Sequence, residues 1–164
     1  MKRMLLFMFL LPAMSISAQE LTEGFGYDDD GYVVWEQFYE MEIDDFVEVK
    51  DELLAQLGSD SRVRLSPAQP ENKIVGRVEG LISQFSGLDA VIAWTYDFGF
   101  TIEFYKDGYV VRGRNFVGKT NSGAYGGGGA NTMAAEEWLR SNGKKRKAKW
   151  CEANGVPARR MFAL

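Results

Sequence analysis

The chain has 164 residues, 46% hydrophobic and 26% charged, with a net charge of −4, one cysteine and no histidine. Without histidine, Ser-His-Asp triads, Cys-His dyads and histidine zinc sites are excluded, and one cysteine cannot form an intramolecular bridge. Nor does the charge balance have the basic sign of a nucleic-acid-binding domain.

At the N-terminus, Lys2 and Arg3 form a short basic region, residues 4–11 are unbrokenly apolar, and residues 12–18 are a small-residue stretch ending in Ser17-Ala18. This is the three-part layout of a cleaved secretory signal over residues 1–18. The apolar run is far shorter than the ~20 residues that span a bilayer, so no transmembrane segment is expected in the mature chain. A lipoprotein needs a cysteine just after the signal, whereas the only cysteine is Cys151. The expectation is an exported protein, periplasmic or secreted, and not a lipoprotein. Loss of Lys2 and Arg3 moves the net charge from −4 to about −6. The remaining length suits one domain, burying about two thirds of its unfolded surface.

Residues 19–31 hold three glycines and Asp28-Asp29-Asp30, and read as an acidic leader or turn. Val33, Trp35, Tyr39 and Met41 then alternate with polar positions as a first strand. A helix follows. Asp45 is placed to cap it with Glu48 as reciprocal partner, Phe46, Val49, Leu53, Leu54 and Leu57 share a face, and Gly58 supplies the stop. Val63 and Leu65 alternate with arginines in a short strand ending at Pro67. In the next strand, residues 73–81, Ile74, Gly76 and Val78 face one way and Val75, Arg77 and Glu79 the other, so one side of the sheet is solvated. The strongest local signal is a hairpin: Phe98, Phe100, Ile102 and Phe104 alternate, Lys106-Asp107-Gly108 turns, and 109–116 returns.

Residues 118–130 read as a glycine-rich linker. Beyond it lies a helical, basic segment, residues 131–164. Asn131 or Thr132 is its expected cap, Gly143 interrupts it, and Pro157 ends regular structure. The order strand, helix, four strands, linker, helix predicts an α+β fold: a curved, mostly antiparallel five-stranded sheet with helices on one face.

The first strand with residues 44–57, the segment Lys73-Ile74-Val75-Gly76-Arg77, and Phe100-Thr101-Ile102-Glu103-Phe104-Tyr105-Lys106-Asp107-Gly108-Tyr109 together resemble a domain-of-unknown-function family with a TATA-binding-protein-like (TBP-like) fold. That family is found in exported proteins of Bacteroides-type bacteria. The resemblance covers residues 32–117, implies the TBP-like fold and carries no catalytic residues. Fold does not imply DNA binding, and nucleic acid is not an expected partner.

Gly113 to Lys119-Thr120 spells a P-loop, but a P-loop lysine and threonine open a helix, and here a glycine run follows. Asp28-Asp29-Asp30-Gly31 offers oxygens to calcium without the alternating spacing of a dedicated loop; a solvated turn is the simpler account. Asp89, Asp97 and Glu103 are the candidate carboxylates for glycan hydrolysis, with Glu103 better read as an exposed strand position. Trp35, Trp94 and Trp138 are read as core and Tyr96 as the exposed aromatic, while Cys151 is read as buried and unreactive. The binding candidate is Lys144, Lys145, Arg146, Lys147 and Lys149, set against an acidic first third. It suits an anionic envelope surface or, more plainly, a solvated helix face. No cofactor or metal is expected. The leading expectation is a non-enzymatic binding or assembly module of the cell envelope, its partner an unknown protein or an anionic envelope component; the alternative is a carboxylate-dependent hydrolase acting on envelope glycan.

Overall fold

The computed structural model of the chain describes residues 21–42, 46–87, 90–121 and 130–164. The signal-like residues 1–18 and the helix cap expected at Asp45 lie outside the described residues. In chain order the elements are β1 (Phe25–Tyr27), β2 (Val33–Glu40), α1 (Phe46–Ser59), β3 (Val63–Leu65), β4 (Lys73–Gly87), β5 (Ala90–Tyr105), β6 (Gly108–Asn121), β7 (Ala130–Ala134), α2 (Ala135–Arg140) and α3 (Lys144–Phe162).

The fold is α+β, built on a curved, unclosed sheet whose paired strands are all antiparallel. Its order is β1-β2-β6-β5-β4-β3, and β7 pairs with β6. β2 takes residues 108–114 of β6 and β7 takes residues 117–121, so one strand serves two neighbours along the same edge. The sheet has seven strands, two more than the five expected. β1 lies in what reads as an acidic leader, and β7 in what reads as linker and helix cap. Both are short and rich in small or glycine-flanked residues, so alternation gave no signal, and pairing to a neighbour makes each a strand.

Alternation places the core. Val33 and Trp35 of β2, Ile74 and Val78 of β4, Phe98, Phe100 and Ile102 of β5, and Tyr109, Val111 and Phe116 of β6 are all buried on one face. Leu53 and Leu57 of α1 and Trp150, Cys151, Ala158 and Phe162 of α3 are buried with them. Fully burying one such apolar side chain contributes about 1.5–3 kcal/mol. The Phe162 ring lies 6.0 Å from Trp35 and 4.9 Å from Phe100, and Tyr109 donates its hydroxyl to the Phe162 carbonyl at 2.7 Å.

Three local expectations change. α3 runs through Pro157 to Phe162. A proline inside a helix removes one backbone bond, yet Ala158, Met161 and Phe162 beyond it are all buried, and that packing carries the helix onward. α2 begins at Ala135 with Ala134 at its cap and no side-chain capping bond, because residues 130–134 are paired to β6. Tyr96, read as the exposed aromatic, is 3% exposed: its ring stacks near Trp94 at 6.2 Å and meets Trp150 edge-on at 5.6 Å.

Two irregularities bend the sheet at one place. Between the pairs Val78↔Phe98 and Leu81↔Tyr96, β4 carries an extra residue, and Gly80 there adopts φ +72°. Between Gly99↔Arg114 and Asp97↔Val117, β6 carries the extra residue, with Asn115 at φ +58°. Bulges of this kind increase local twist and bend the strand. They flank Asp97 and Phe98 of β5 from both sides.

Candidate functional site

The basic candidate residues are held by a helix that is anchored in the core. Lys144, Lys145, Arg146 and Lys147 form the first turn of α3, and Lys149 follows. Lys147 is half-buried and the other four are exposed. Arg146 donates to Asn142 Oδ1 at 3.2 Å, and no ion pair reaches any of the five among the described residues. No acidic residue stands in that first turn, and Gly143 at the cap makes no side-chain bond. Cations at a helix N-terminus oppose the macrodipole, typically by 0.3–1 kcal/mol each, so both these side chains and the helix end favour an anion.

Directly behind that turn an aromatic layer fixes the helix. Trp150 donates its indole N–H to the Tyr96 hydroxyl at 2.7 Å, packs edge-on against Phe25 at 4.9 Å and stacks near Trp138 at 6.5 Å. Trp35 is fully buried, while Trp94 and Trp138 pack partly buried against the core. Cys151 is buried beside Trp150 and unpaired; burial pushes its thiol pKa up.

The acidic first third meets the basic segment at its far end. Arg159 forms an ion pair with Glu23, and Arg140 reaches the Gly31 carbonyl at 3.4 Å. Glu136 of α2, 8% exposed, accepts the Val33 backbone N–H at 2.7 Å. Asp28 closes the β1–β2 hairpin, accepting the N–H groups of Asp30 and Tyr32 at 3.2 and 2.9 Å. Its side chain is thus used by the turn.

The P-loop spelling lies within β6, where Gly113 pairs with Trp35 and Phe100, and Lys119 with Thr95. Gly113 and Gly118 leave room for the rings of Phe116 and Tyr96, which a Cβ would approach to 2.8 and 2.9 Å. Lys119 donates to Asp97 at 2.5 Å. The glycines therefore serve packing and the lysine serves an ion pair.

Outside the core, the open face of the sheet carries two ion networks. In one, Arg112 bridges Glu36 of β2 at 2.6 Å and Glu103 of β5 at 2.5 Å, and Lys73 of β4 reaches Glu103 at 2.6 Å. Hydrogen bonding from Lys73, against a smaller burial effect and with help from Arg112, holds the Glu103 pKa below its ordinary value. In the other, Asp97 accepts the Gly80 N–H at 2.9 Å and Lys119 at 2.5 Å, with Arg77 at 3.6 Å. Burial would raise the Asp97 pKa, but these donors and charges together bring it below the usual value. Asp97 and Glu103 stand six residues apart on β5, about 20 Å at ~3.3 Å per residue. Paired catalytic carboxylates stand roughly 5–9.5 Å apart, and one is raised to serve as the acid. Both carboxyls here are lowered. Asp89 lies outside the described residues.

A polar groove of about 510 Å³ lies between α1 and α3, lined by Gln56, Asp60, Arg62, Pro157, Arg160 and Met161 among others. Asp60 and Arg62, on the connection from α1 to β3, are already paired with each other at 2.6 Å. No helix among the described residues is long and apolar enough to cross a membrane, which says nothing of spanning by strands.

The chain is similar in structure to a DUF4468 family protein from Bacteroides ovatus, with a TM-score of 0.61 at 14% identity, over 87% of this chain and 88% of that one. It is similar to a TBP-like protein from Parabacteroides distasonis to the same degree, TM-score 0.61 and 14% identity, over 81% of this chain and 89% of that one. No protein-family model and no curated protein matches the chain. The likeness is one of fold, and the TBP-like architecture expected from the sequence is the one observed.

Proposed function

We propose that this chain is an exported, non-enzymatic binding or assembly module of the cell envelope, and that its contact with an anionic envelope component is made by Lys144, Lys145, Arg146, Lys147 and Lys149. The observation that carries this reading is the first turn of α3. Cations are gathered there with no acidic residue in the turn, on a helix whose buried residues, Trp150 to Phe162, belong to the core. A rigid cationic knob attracts polyanions over about a Debye length and loses that attraction in salt. Export rests on the basic, apolar and small-residue pattern of residues 1–18. The separation of Asp97 from Glu103 along β5 speaks against these two as the carboxylate pair of the hydrolase alternative.

The test compares the mature protein with a variant in which all five cations are glutamine. Retention would be measured on phosphatidylglycerol vesicles, on phosphatidylcholine vesicles and on heparin, at low salt and at 0.3 M salt. The reading requires wild-type retention on an anionic matrix, loss in the variant and loss in salt. Equal retention of the two proteins would remove it. Retention on vesicles alone or on heparin alone identifies lipid or glycan as the partner class.

A further inference from the structure

On the open face, one row of cross-strand neighbours runs Arg64, Arg77, Gly99, Arg114, Val34, through β3, β4, β5, β6 and β2. Arg64 and Arg77 stand directly opposite one another, an arrangement of like charges that is unfavourable in a sheet. Arg64 is folded back, donating to the carbonyls of Ser61 at 2.8 Å and Val63 at 3.2 Å. Arg77 leans toward β5, with Asp97 at 3.6 Å and Glu79 at 3.8 Å, contacts too long for hydrogen bonds. Arg114 is exposed. Between Arg77 and Arg114, which are two strand spacings or about 10 Å apart at the backbone, stands Gly99 with no side chain.

Gly99 borders the irregularity in the β5–β6 pairing, but neither a left-handed backbone nor a close contact requires a glycine there. Its backbone is not left-handed, and a Cβ there would meet nothing closer than 3.9 Å. Glycine inside a strand weakens it and often marks a place where a ligand approaches the backbone. The surrounding charge has the opposite sign to the protein as a whole. Arg64, Arg77, Arg114 and Lys119 outnumber Glu79 and Asp97 on this part of the face, in a chain whose net charge is −4. Asp97 is already satisfied by Lys119 and the Gly80 N–H, which leaves the guanidinium of Arg77 with donors to offer.

We propose that Arg77 and Arg114, over the bare backbone of Gly99, form a binding site for one oxyanion group of a ligand: a carboxylate, sulfate or phosphate. Two planar forks from neighbouring strands match such groups bidentately. Thr101, next along the same face of β5, is placed to add a hydroxyl donor. The site is separate from the cations of α3 and does not depend on them.

The experiment titrates the mature protein separately with sodium phosphate, sodium sulfate and succinate at constant ionic strength, following backbone amide resonances. Saturable shifts at Gly99, Arg77 and Arg114 with at least one probe are expected, and the responding probe names the group. Arg114→Gln should weaken binding at least tenfold. Gly99→Val should do the same while leaving Tm unchanged or higher, since the valine has room and suits a strand. The variant lacking the five α3 cations should bind as the wild type does. No saturable shift with any probe, shifts confined to residues 144–149, or a Gly99→Val protein that binds normally would each overturn the site.

Discussion

Trp150 and Tyr96 are joined by a buried hydrogen bond, indole N–H to phenol oxygen at 2.7 Å, that ties α3 to the centre of β5. Burial pushes the Tyr96 pKa up to about 12, so the hydroxyl stays protonated and available as the acceptor. Tyr96→Phe leaves the indole N–H without a partner and should cost about 1–3 kcal/mol. Trp150→Ala also empties the layer between Phe25 and Trp138 and should cost about 3–5 kcal/mol. Urea unfolding of the two variants checks the order, and a larger loss for Tyr96→Phe would contradict it.

A chain ending at Gly129 should not fold. It lacks Trp150, Cys151, Ala158, Met161 and Phe162, all buried in the shared core, and it leaves Val33 without the carboxylate that accepts its N–H. Far-UV and near-UV circular dichroism should show no cooperative thermal transition. A cooperative one would mean that residues 32–117 close without α3.

Acid should destabilise the protein through Asp97 and Glu103. Their folded pKa values lie below 3.8 and 4.5, the ordinary values, so the stability they contribute is fully present above those values and is lost as pH falls through the lower, folded ones. Thermal midpoints should be flat from neutral pH to about pH 5 and drop below it. Asp97→Asn should flatten part of that drop and lower the plateau by about 1–3 kcal/mol, because Lys119 is left facing an uncharged group. An unchanged acid limb in Asp97→Asn would remove Asp97 from this account.

Cys151 should resist alkylation in the native state. Its thiol is buried and its pKa raised by that burial, so little thiolate forms and none meets reagent without opening of the fold. Labelling with iodoacetamide should proceed at the unfolding rate and become rapid in denaturant. Fast labelling of native protein would show that the start of α3 opens locally.

Much of this fold was legible because burial repeats with the period of the element. The alternation in β2, β4, β5 and β6 located the strands, and the spacing of Leu53 and Leu57 located α1. β1 and β7 escaped because three residues, or a run of small ones, have no readable period; their strand character comes from the neighbour they pair with. α3 is hard to read from sequence for a different reason. Pro157 and the lysines dominate its local pattern, and the buried positions Trp150, Asn154, Ala158 and Met161 become meaningful only against a sheet. The basic cluster was visible as composition. The Arg77, Gly99, Arg114 row was not, since these residues are brought together by strand register alone.

The burial of Phe162 against Trp35 and Phe100 also has a kinetic side. Trp35 and Phe162 come from opposite ends of the described chain, so the loop they close is long and its closure entropy is paid late. A chain that emerges from its N-terminus can pair β2, β4, β5 and β6 early and lay α1 on the inner face, yet the part of that face that α3 covers stays bare until α3 arrives. The incomplete protein is therefore an open apolar platform, the form most exposed to aggregation and most in need of being kept from its neighbours.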